Sequence, residues 1–178
     1  PIAHSVEWAP DDQLVAFIGY FDTDEPAEIR LYQCRRVALV YDPVTKSVIS
    51  TIKAPENHCF APFWPNRFAS WSPDGSKLAF ILERNDSERQ QICIADILQP
   101  ESICISMTTT TQMEGYMIYG LTWSPSSNYI AFCGNNYNFI TKVKPEAKLE
   151  VFSLVNNRTY LITEDDVLLF GCSYLVWS

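Results

Sequence analysis

A segment of about a dozen residues occurs three times in this sequence, and that repetition constrains the fold more than any other feature. The copies cover residues 6–17, 70–80 and 121–132. Each copy has a tryptophan, a proline two residues later and a phenylalanine nine residues later. The tryptophans, Trp8, Trp71 and Trp123, are 63 and 52 residues apart, and Trp177 stands 54 residues further on. Self-similarity at this period indicates an array of similar supersecondary units.

Each unit also has a second half that consists of two short apolar runs. These runs cover 37–42 and 47–50, 91–96 and 102–105, and 148–153 and 159–163. Every unit therefore predicts four short antiparallel strands, A to D, which together make one propeller blade. We expect an all-β fold, a partial β-propeller of about three four-stranded antiparallel blades plus the first strand of a fourth. Within this single segment, residues 1–178, the predicted blades cover about 3–53, 66–108 and 117–163, and the fourth begins at about 172–178.

Turn chemistry and packing account for the repeated residues. Proline fixes the φ angle of the first turn position. In the Asp-Gly pair that follows, the glycine can adopt a positive φ. The tryptophan closes strand A and is large enough to lie between neighbouring blades. The first copy has Asp12 where the second has Gly75, and the third has Ser127 there. These differences weaken the turn signal but leave the aromatic and apolar spacing intact.

The second copy carries the most specific motif. Residues 71–80 read Trp-Ser-Pro-Asp-Gly-Ser-Lys-Leu-Ala-Phe, which resembles the WD40-like (PD40) repeat of TolB-type propellers. Similar blades occur in the propellers of prolyl oligopeptidase relatives. The resemblance extends over nearly the whole chain and implies a periplasmic or extracellular location, although the residues themselves leave the cytoplasm open.

The number of repeats leaves the ring incomplete. Known propellers have about 4–8 blades, so three do not close one. The simplest expectation is a piece of a longer propeller whose remaining blades complete the ring. The alternative is a homodimer that pairs two three-blade halves into one six-blade ring. In both cases the apolar faces at the two ends of the arc predict association.

Charge and hydropathy exclude two classes of partner. The net charge is −8, which opposes binding to the phosphate backbone of nucleic acids, and the only dense basic cluster is Arg35-Arg36. No apolar run approaches the ~20 residues that span a bilayer. We therefore expect a protein partner, with no nucleic acid and no membrane span.

The cysteines and histidines do not form a metal-binding pattern. The six cysteines contain no Cys-x-x-Cys pair and the chain has only two histidines, so we expect no metal and no cofactor. Most cysteines stand in apolar runs, where Cys acts as a small hydrophobe. Cys93 and Cys104 flank a predicted hairpin. A disulfide between them is the less favoured alternative, because adjacent strands often hold cysteines in poor geometry for bridging.

The long connections predict which end of the blades binds a partner. Strand direction alternates, so the A–B and C–D turns share one end, and the B–C and D–A connections share the other. The first group is short and the second is long, and long loops usually carry function. The long segments are 20–35, 54–66, 84–89, 109–116, 135–147 and 164–171. Aromatic residues beside an arginine are typical of interaction hot spots. The candidate partner-binding residues are Tyr20, Phe21, His58, Phe60, Phe63, Trp64, Arg67, Tyr116 and Tyr137.

No motif in the chain indicates catalysis. The Gly-x-Ser-x-Gly, His-Glu-x-x-His and P-loop patterns are absent, and neither His4 nor His58 has a marked nucleophile nearby. We expect no catalytic residues and a non-catalytic scaffold that mediates protein–protein interaction. One alternative is the accessory propeller of a prolyl-oligopeptidase-like serine peptidase. The other is a propeller that binds a glycan or a small ligand.

Overall fold

In the described part of the computed structural model, the regular secondary structure consists of β-strands joined by turns. The described part covers residues 2–20, 37–55, 58–60, 69–84, 90–99, 102–105, 116–136 and 147–162. The strands within these ranges are β1 (Ile2–Trp8), β2 (Val15–Tyr20), β3 (Val37–Asp42), β4 (Ser47–Lys53), β5 (His58–Phe60), β6 (Ala69–Trp71), β7 (Lys77–Arg84), β8 (Gln90–Asp96), β9 (Ser102–Ile105), β10 (Tyr116–Trp123), β11 (Tyr129–Asn136), β12 (Ala147–Ser153) and β13 (Arg158–Leu161).

The strands form three antiparallel sheets in chain order. The first sheet has the order β1-β2-β3-β4 and the third the order β10-β11-β12-β13. In the second sheet β5 and β6 both pair with β7, followed by β8 and β9, so two short strands share the strand A position. Strands β1, β6 and β10 are neighbours across the three sheets. The predicted all-β partial propeller is confirmed. The start of a fourth blade at 172–178 lies outside the described residues.

Strand A bends at the same point in the first and third sheets. The register of β1 shifts between Ala3 and Ser5, and that of β10 shifts between Ile118 and Gly120. Both shifts begin five residues before the tryptophan of the sheet. A bulge of this kind increases the local twist of the strand. Its recurrence indicates that the two sheets use equivalent positions in the same way.

The second sheet has an insertion at this point of strand A. Phe60 pairs with Leu82 and Ala69 pairs with Phe80, so the strand paired with β7 changes from β5 to β6 at the place where the other sheets have a bulge. Residues 61–68 themselves lie outside the described residues. The second sheet consequently begins at His58 rather than near residue 66. Residues 54–66 are assigned to the D–A connection from the sequence, because this segment has no strand-like pattern.

The three A–B turns have one conformation. The residue four positions after each tryptophan has a positive φ: 57° at Asp12, 71° at Gly75 and 57° at Ser127. Its N–H donates to the carbonyl of the residue after the tryptophan at 3.0, 2.8 and 2.9 Å respectively. The turn geometry therefore persists where the sequence departs from Asp-Gly. The predicted equivalence of the three repeats is confirmed at this position.

The positive φ at Ser127 gives a testable stability prediction. A non-glycine residue in the left-handed region costs roughly 1–2 kcal/mol, and glycine loses roughly 0.5–1 kcal/mol of extra chain entropy on folding. Ser127→Gly should therefore raise the free energy of unfolding by about 0.5–1 kcal/mol in urea titration. The reciprocal change Gly75→Ser should lower it. Two changes of the same sign would contradict a shared left-handed position.

The hydrophobic core lies between the sheets as two layers. Side chains alternate along each strand, so β7 contributes Leu78 and Phe80 to one layer and Ala79 and Ile81 to the other. The first layer joins the first and second sheets. It contains Ala16, Ile18, Ala38, Val40, Ile52, Phe60, Trp71, Leu78, Phe80, Leu82 and Cys93. The second layer joins the second and third sheets, through Ala79, Ile81, Ile92, Ile118, Leu121, Trp123, Ile130, Phe132 and Phe152.

Tryptophan side chains connect each sheet to the one before it. The indole Nε1 of Trp71 donates to the carbonyl oxygen of Glu7 at 3.1 Å. The indole Nε1 of Trp123 donates to that of Ser70 at 2.9 Å. In both cases the acceptor is the residue that precedes the tryptophan of the preceding sheet. The predicted position of the tryptophan between blades is confirmed for these two sheets.

The expectation for the cysteines is wrong at three positions. Cys59, Cys93 and Cys133 are disulfide-bonded rather than small hydrophobic thiols. The backbone register places Cys93 directly opposite Cys104 on the neighbouring strand. An apolar sequence context therefore does not show whether a cysteine is a free thiol or part of a disulfide, because the sulfur can be buried in either form.

Candidate partner-binding end of the blades

The antiparallel order of the strands gives each sheet two distinct ends. The A–B and C–D turns form what we call the short-turn end, and the B–C and D–A connections form the long-loop end. Tyr20 ends β2, His58 begins β5 and Tyr116 begins β10. These three candidate residues therefore lie at the long-loop end of successive sheets. Their sequence positions are far apart, and it is the repeated topology that gives them a common end.

Carboxylates at the short-turn end accept hydrogen bonds from their own turns. Asp42 Oδ1 accepts from the N–H groups of Val44 and Thr45 at 2.8 and 3.2 Å, and its Oδ2 accepts from Thr45 Oγ1 at 2.7 Å. In the next sheet, Asp96 Oδ1 accepts from Leu98 N–H at 2.9 Å. The Thr45 hydroxyl lowers the pKa of Asp42, and the Leu98 N–H lowers the pKa of Asp96. These turns are held in place by their own side chains.

The A–B turn of the second sheet has the densest of these networks. Asp74 Oδ1 accepts from Ser72 Oγ at 2.6 Å, from Ser76 N–H at 3.0 Å and from Ser76 Oγ at 2.9 Å. Hydrogen bonds to the ionised carboxylate, first of all that from Ser72, lower the pKa of Asp74. The polar groups of this turn are used to fix its shape, and the turn offers a rigid polar surface.

Three exposed aliphatic side chains at the short-turn end were not predicted from the sequence. Val44, Leu98 and Val155 are 86%, 87% and 71% exposed. Each stands two residues after the end of strand C, so they occupy equivalent places in the C–D turns. Comparison of the three turns, rather than of the tryptophan motifs, would have found them. Singly exposed aliphatic residues are ordinary on soluble proteins, so their placement alone defines no site.

The long-loop end is anchored by contacts between neighbouring elements. Gln90, the first residue of β8, accepts the N–H of Ile118 in the next sheet through its Oε1 at 2.7 Å. His58 is half-buried, and its N–H donates to the carbonyl of Pro55 at 3.1 Å. These contacts hold Gln90 and His58 at the ends of their strands.

Phe60 is a core residue and not a surface residue. Its side chain is 1% exposed, and its ring lies 5.0 Å from that of Phe80, centroid to centroid. The proposed contact of Phe60 with a partner is therefore wrong. The reason is that β5 belongs to strand A of the second sheet, and alternation along this strand turns Phe60 toward the first sheet.

The remaining candidates lie outside the described residues. These are Phe21, Phe63, Trp64, Arg67 and Tyr137. Within the described ranges, no group of three or more His, Cys, Asp or Glu residues has a geometry suited to a metal ion. The same part of the chain contains no helix that is long and apolar enough to cross a membrane.

Comparison with solved structures defines the class of protein as a β-propeller-type fold. The chain aligns with TolB from Acinetobacter baumannii with a TM-score of 0.53 and 18% identity, over 91% of this chain and 32% of TolB. It aligns with the β-propeller domain of the trilobed protease from Pyrococcus furiosus with a TM-score of 0.52 and 15% identity, over 85% of this chain and 41% of that one. A prolyl endopeptidase gives a TM-score of 0.60 and 10% identity, over 92% of this chain and 21% of the enzyme.

More narrowly, the fold is that of the propeller in TolB and in these peptidase structures. At these identities the likeness shows the fold alone. The chain spans less than half the length of each of these three structures. No protein-family model matches the chain, and no curated protein sequence matches it.

Proposed function

We propose that this chain is a non-catalytic propeller scaffold that binds a protein partner through its long-loop end. The observation that carries the proposal is the common placement of Tyr20, His58 and Tyr116 at one end of successive sheets. Tyrosine is enriched in interaction hot spots, and residues on a rigid scaffold lose little entropy on binding. The net charge of −8 favours a protein over a nucleic acid as the partner.

The chemistry of the opposite end supports this choice. Asp42, Asp74 and Asp96 already accept hydrogen bonds from their own turns. A partner that docked there would have to compete with these bonds or leave them in place. The tight turns also offer little freedom to form a complementary surface, whereas the long B–C and D–A connections vary in length and sequence.

Site-specific photo-cross-linking tests the proposal. A benzophenone amino acid is introduced at Tyr20 or Tyr116, and at Val44 or Leu98 as matched controls at the short-turn end. Each variant is irradiated in an extract of cells that produce the protein. We expect a common protein adduct from Tyr20 and Tyr116 and none above background from Val44 and Leu98. Adducts only from Val44 and Leu98 would assign binding to the short-turn end and contradict the proposal.

Affinity of the recovered partner gives the quantitative prediction. Loss of a hot-spot tyrosine costs about 2 kcal/mol or more, which corresponds to a roughly 30-fold weaker Kd. We expect a loss of this size for Tyr20→Ala or Tyr116→Ala in titration calorimetry. Leu98→Ala serves as the control and should leave the Kd unchanged. A loss for Leu98→Ala alone would contradict the assignment of the binding end.

A second candidate function is that of an accessory propeller in a serine peptidase. The specific observation in its favour is the fold likeness to a prolyl endopeptidase and to the propeller domain of the trilobed protease. In that case catalysis belongs to a separate hydrolase domain, and the propeller restricts or binds the substrate. The sequence of the complete gene product tests this, because a Gly-x-Ser-x-Gly elbow would then be present. Its absence would exclude this candidate.

A further inference from the structure

The turn between β12 and β13 contains an exposed asparagine in an acceptor pattern for N-linked glycans. Residues 157–159 read Asn-Arg-Thr. Oligosaccharides are attached to asparagine where serine or threonine follows at the second position and the residue between is not proline. Asn157 is exposed and ends the four-residue turn that covers residues 154–157. Its side chain therefore lies at the surface, where a bulky modification does not disturb the core.

The backbone of this turn does not require an asparagine at position 157. The φ of Asn157 is 58°, and Lys46, four residues after strand C of the first sheet, has the equivalent place with a φ of 56°. A lysine thus adopts the same left-handed conformation. The hydrogen bond across the turn belongs to the neighbouring residue, because Asn156 Nδ2 donates to Tyr160 Oη at 2.7 Å. That bond does not involve Asn157.

The disulfides are an independent observation that concerns the compartment in which the chain matures. Cys59, Cys93 and Cys133 are disulfide-bonded, and they stand in three different strands, β5, β8 and β11. Disulfides form and persist in secreted proteins and in oxidising compartments, whereas the cytosol keeps most thiols reduced. N-linked glycans are likewise a feature of surface loops in secreted proteins. The exposed acceptor pattern and the disulfides have no residue in common, yet both indicate secretion.

We infer that Asn157 is an N-glycosylation site. The donor is a lipid-pyrophosphate-linked oligosaccharide, which an oligosaccharyltransferase of the secretory pathway presents to the chain. Asn157 Nδ2 forms a bond to the anomeric carbon of the oligosaccharide, the bond between that carbon and the pyrophosphate oxygen breaks, and one amide proton is lost as the lipid pyrophosphate leaves. The glycan then lies at the short-turn end of the third sheet. The inference does not rest on the proposed partner-binding end, which is the opposite end of the sheets.

Mass spectrometry of the protein from the cells that naturally produce it tests the inference. The protein is isolated without reductant in the presence of a thiol-alkylating reagent. Peptide N-glycosidase in water enriched in heavy oxygen then converts each glycosylated asparagine to a labelled aspartate. We expect the label at Asn157 and not at Asn156, which stands in the same turn but lacks the acceptor pattern. Cys59, Cys93 and Cys133 should resist alkylation.

Two variants at Thr159 separate the acceptor pattern from other effects. Residues 85–87, Asn-Asp-Ser, form a second such pattern outside the described residues, so Asn85→Gln is introduced first. Thr159→Ser and Thr159→Ala are then compared with this parent chain, each secreted from a eukaryotic host behind a cleavable signal peptide. We expect a glycosidase-sensitive increase in mass for the parent and for Thr159→Ser, and its loss for Thr159→Ala. Both changes shorten the same half-buried side chain, and thermal unfolding of the deglycosylated proteins checks that both fold.

Three outcomes would overturn the inference. In the first, Asn157 of the protein from its natural source carries no label, even if the foreign host modifies it. In the second, the three cysteines are alkylated in that protein, which removes the oxidising compartment. In the third, Thr159→Ala keeps the glycosidase-sensitive mass, which assigns the glycan to another residue.

Discussion

Trp123→Ala is expected to lower the free energy of unfolding by about 3–5 kcal/mol, the range observed for removal of a buried large aromatic side chain. The indole of Trp123 is 4% exposed and packs in the layer between the second and third sheets. Its N–H also donates to the carbonyl of Ser70, which would be left without this donor. Urea titration monitored by far-UV circular dichroism measures the loss.

Trp8→Ala is the matched control for this prediction. The same residue type stands at the same place in its sheet, but it is 55% exposed and the described residues place no sheet against it. We expect a change within about 1 kcal/mol for Trp8→Ala. Equal losses for the two variants would contradict the assignment of Trp123 to an interface between sheets.

Phe80→Ala is the second change with a large expected effect. The ring is fully buried between the first and second sheets and lies 5.0 Å from the ring of Phe60. Its removal leaves a cavity, and the β-strands on both sides prevent this cavity from collapsing fully. We therefore expect the free energy of unfolding to fall by about 3–5 kcal/mol. Thermal unfolding followed by calorimetry measures it as a lower Tm.

The equivalent position of the first sheet again supplies a control. Phe17 is half-buried on the face of the first sheet that points away from the second, so Phe17→Ala should cost clearly less than Phe80→Ala. The two variants remove the same atoms from the same place in the repeat and differ in the sheet that packs against them. A larger loss at Phe17 would show that the layer between the sheets is not the main source of stability.

The fold was predictable because the repeated positions keep the same geometry in each sheet, even where the residue type differs. Trp71 and Trp123 occupy the same position between sheets, as their spacing to the following proline and phenylalanine indicates. Asp12 and Ser127 adopt the positive φ that Gly75 adopts. A turn fixed at both sides by paired strands can impose this conformation on a non-glycine residue at modest cost.

The interruption of strand A in the second sheet was not predictable in the same way. The segment from His58 to Phe60 has only three residues in strand β5, too few for a periodic pattern. This segment pairs with β7 next to the place where the other sheets have a bulge. The sequence of one repeat does not reveal where that place is. Phe60 was therefore assigned to a loop surface, whereas it packs against Phe80 in the core.

The candidate site was predictable only in its location on the fold. Alternation of strand direction places Tyr20, His58 and Tyr116 at one end of the sheets. The exposed Val44 and Leu98 at the other end escaped prediction because an aliphatic residue in a turn carries no periodic signal. Which side chains form a surface depends on the long connections, whose conformation does not follow from strand periodicity.

Hydrogen exchange of the tryptophan indole N–H groups, followed by NMR, tests most directly whether the three sheets are equivalent units stacked in order. Trp→Phe variants assign the resonances. The account predicts slow exchange for Trp71 and Trp123, whose N–H groups donate to Glu7 and Ser70, and fast exchange for the exposed Trp8. Fast exchange at all three indoles, or protection of Trp8 alone, would contradict it.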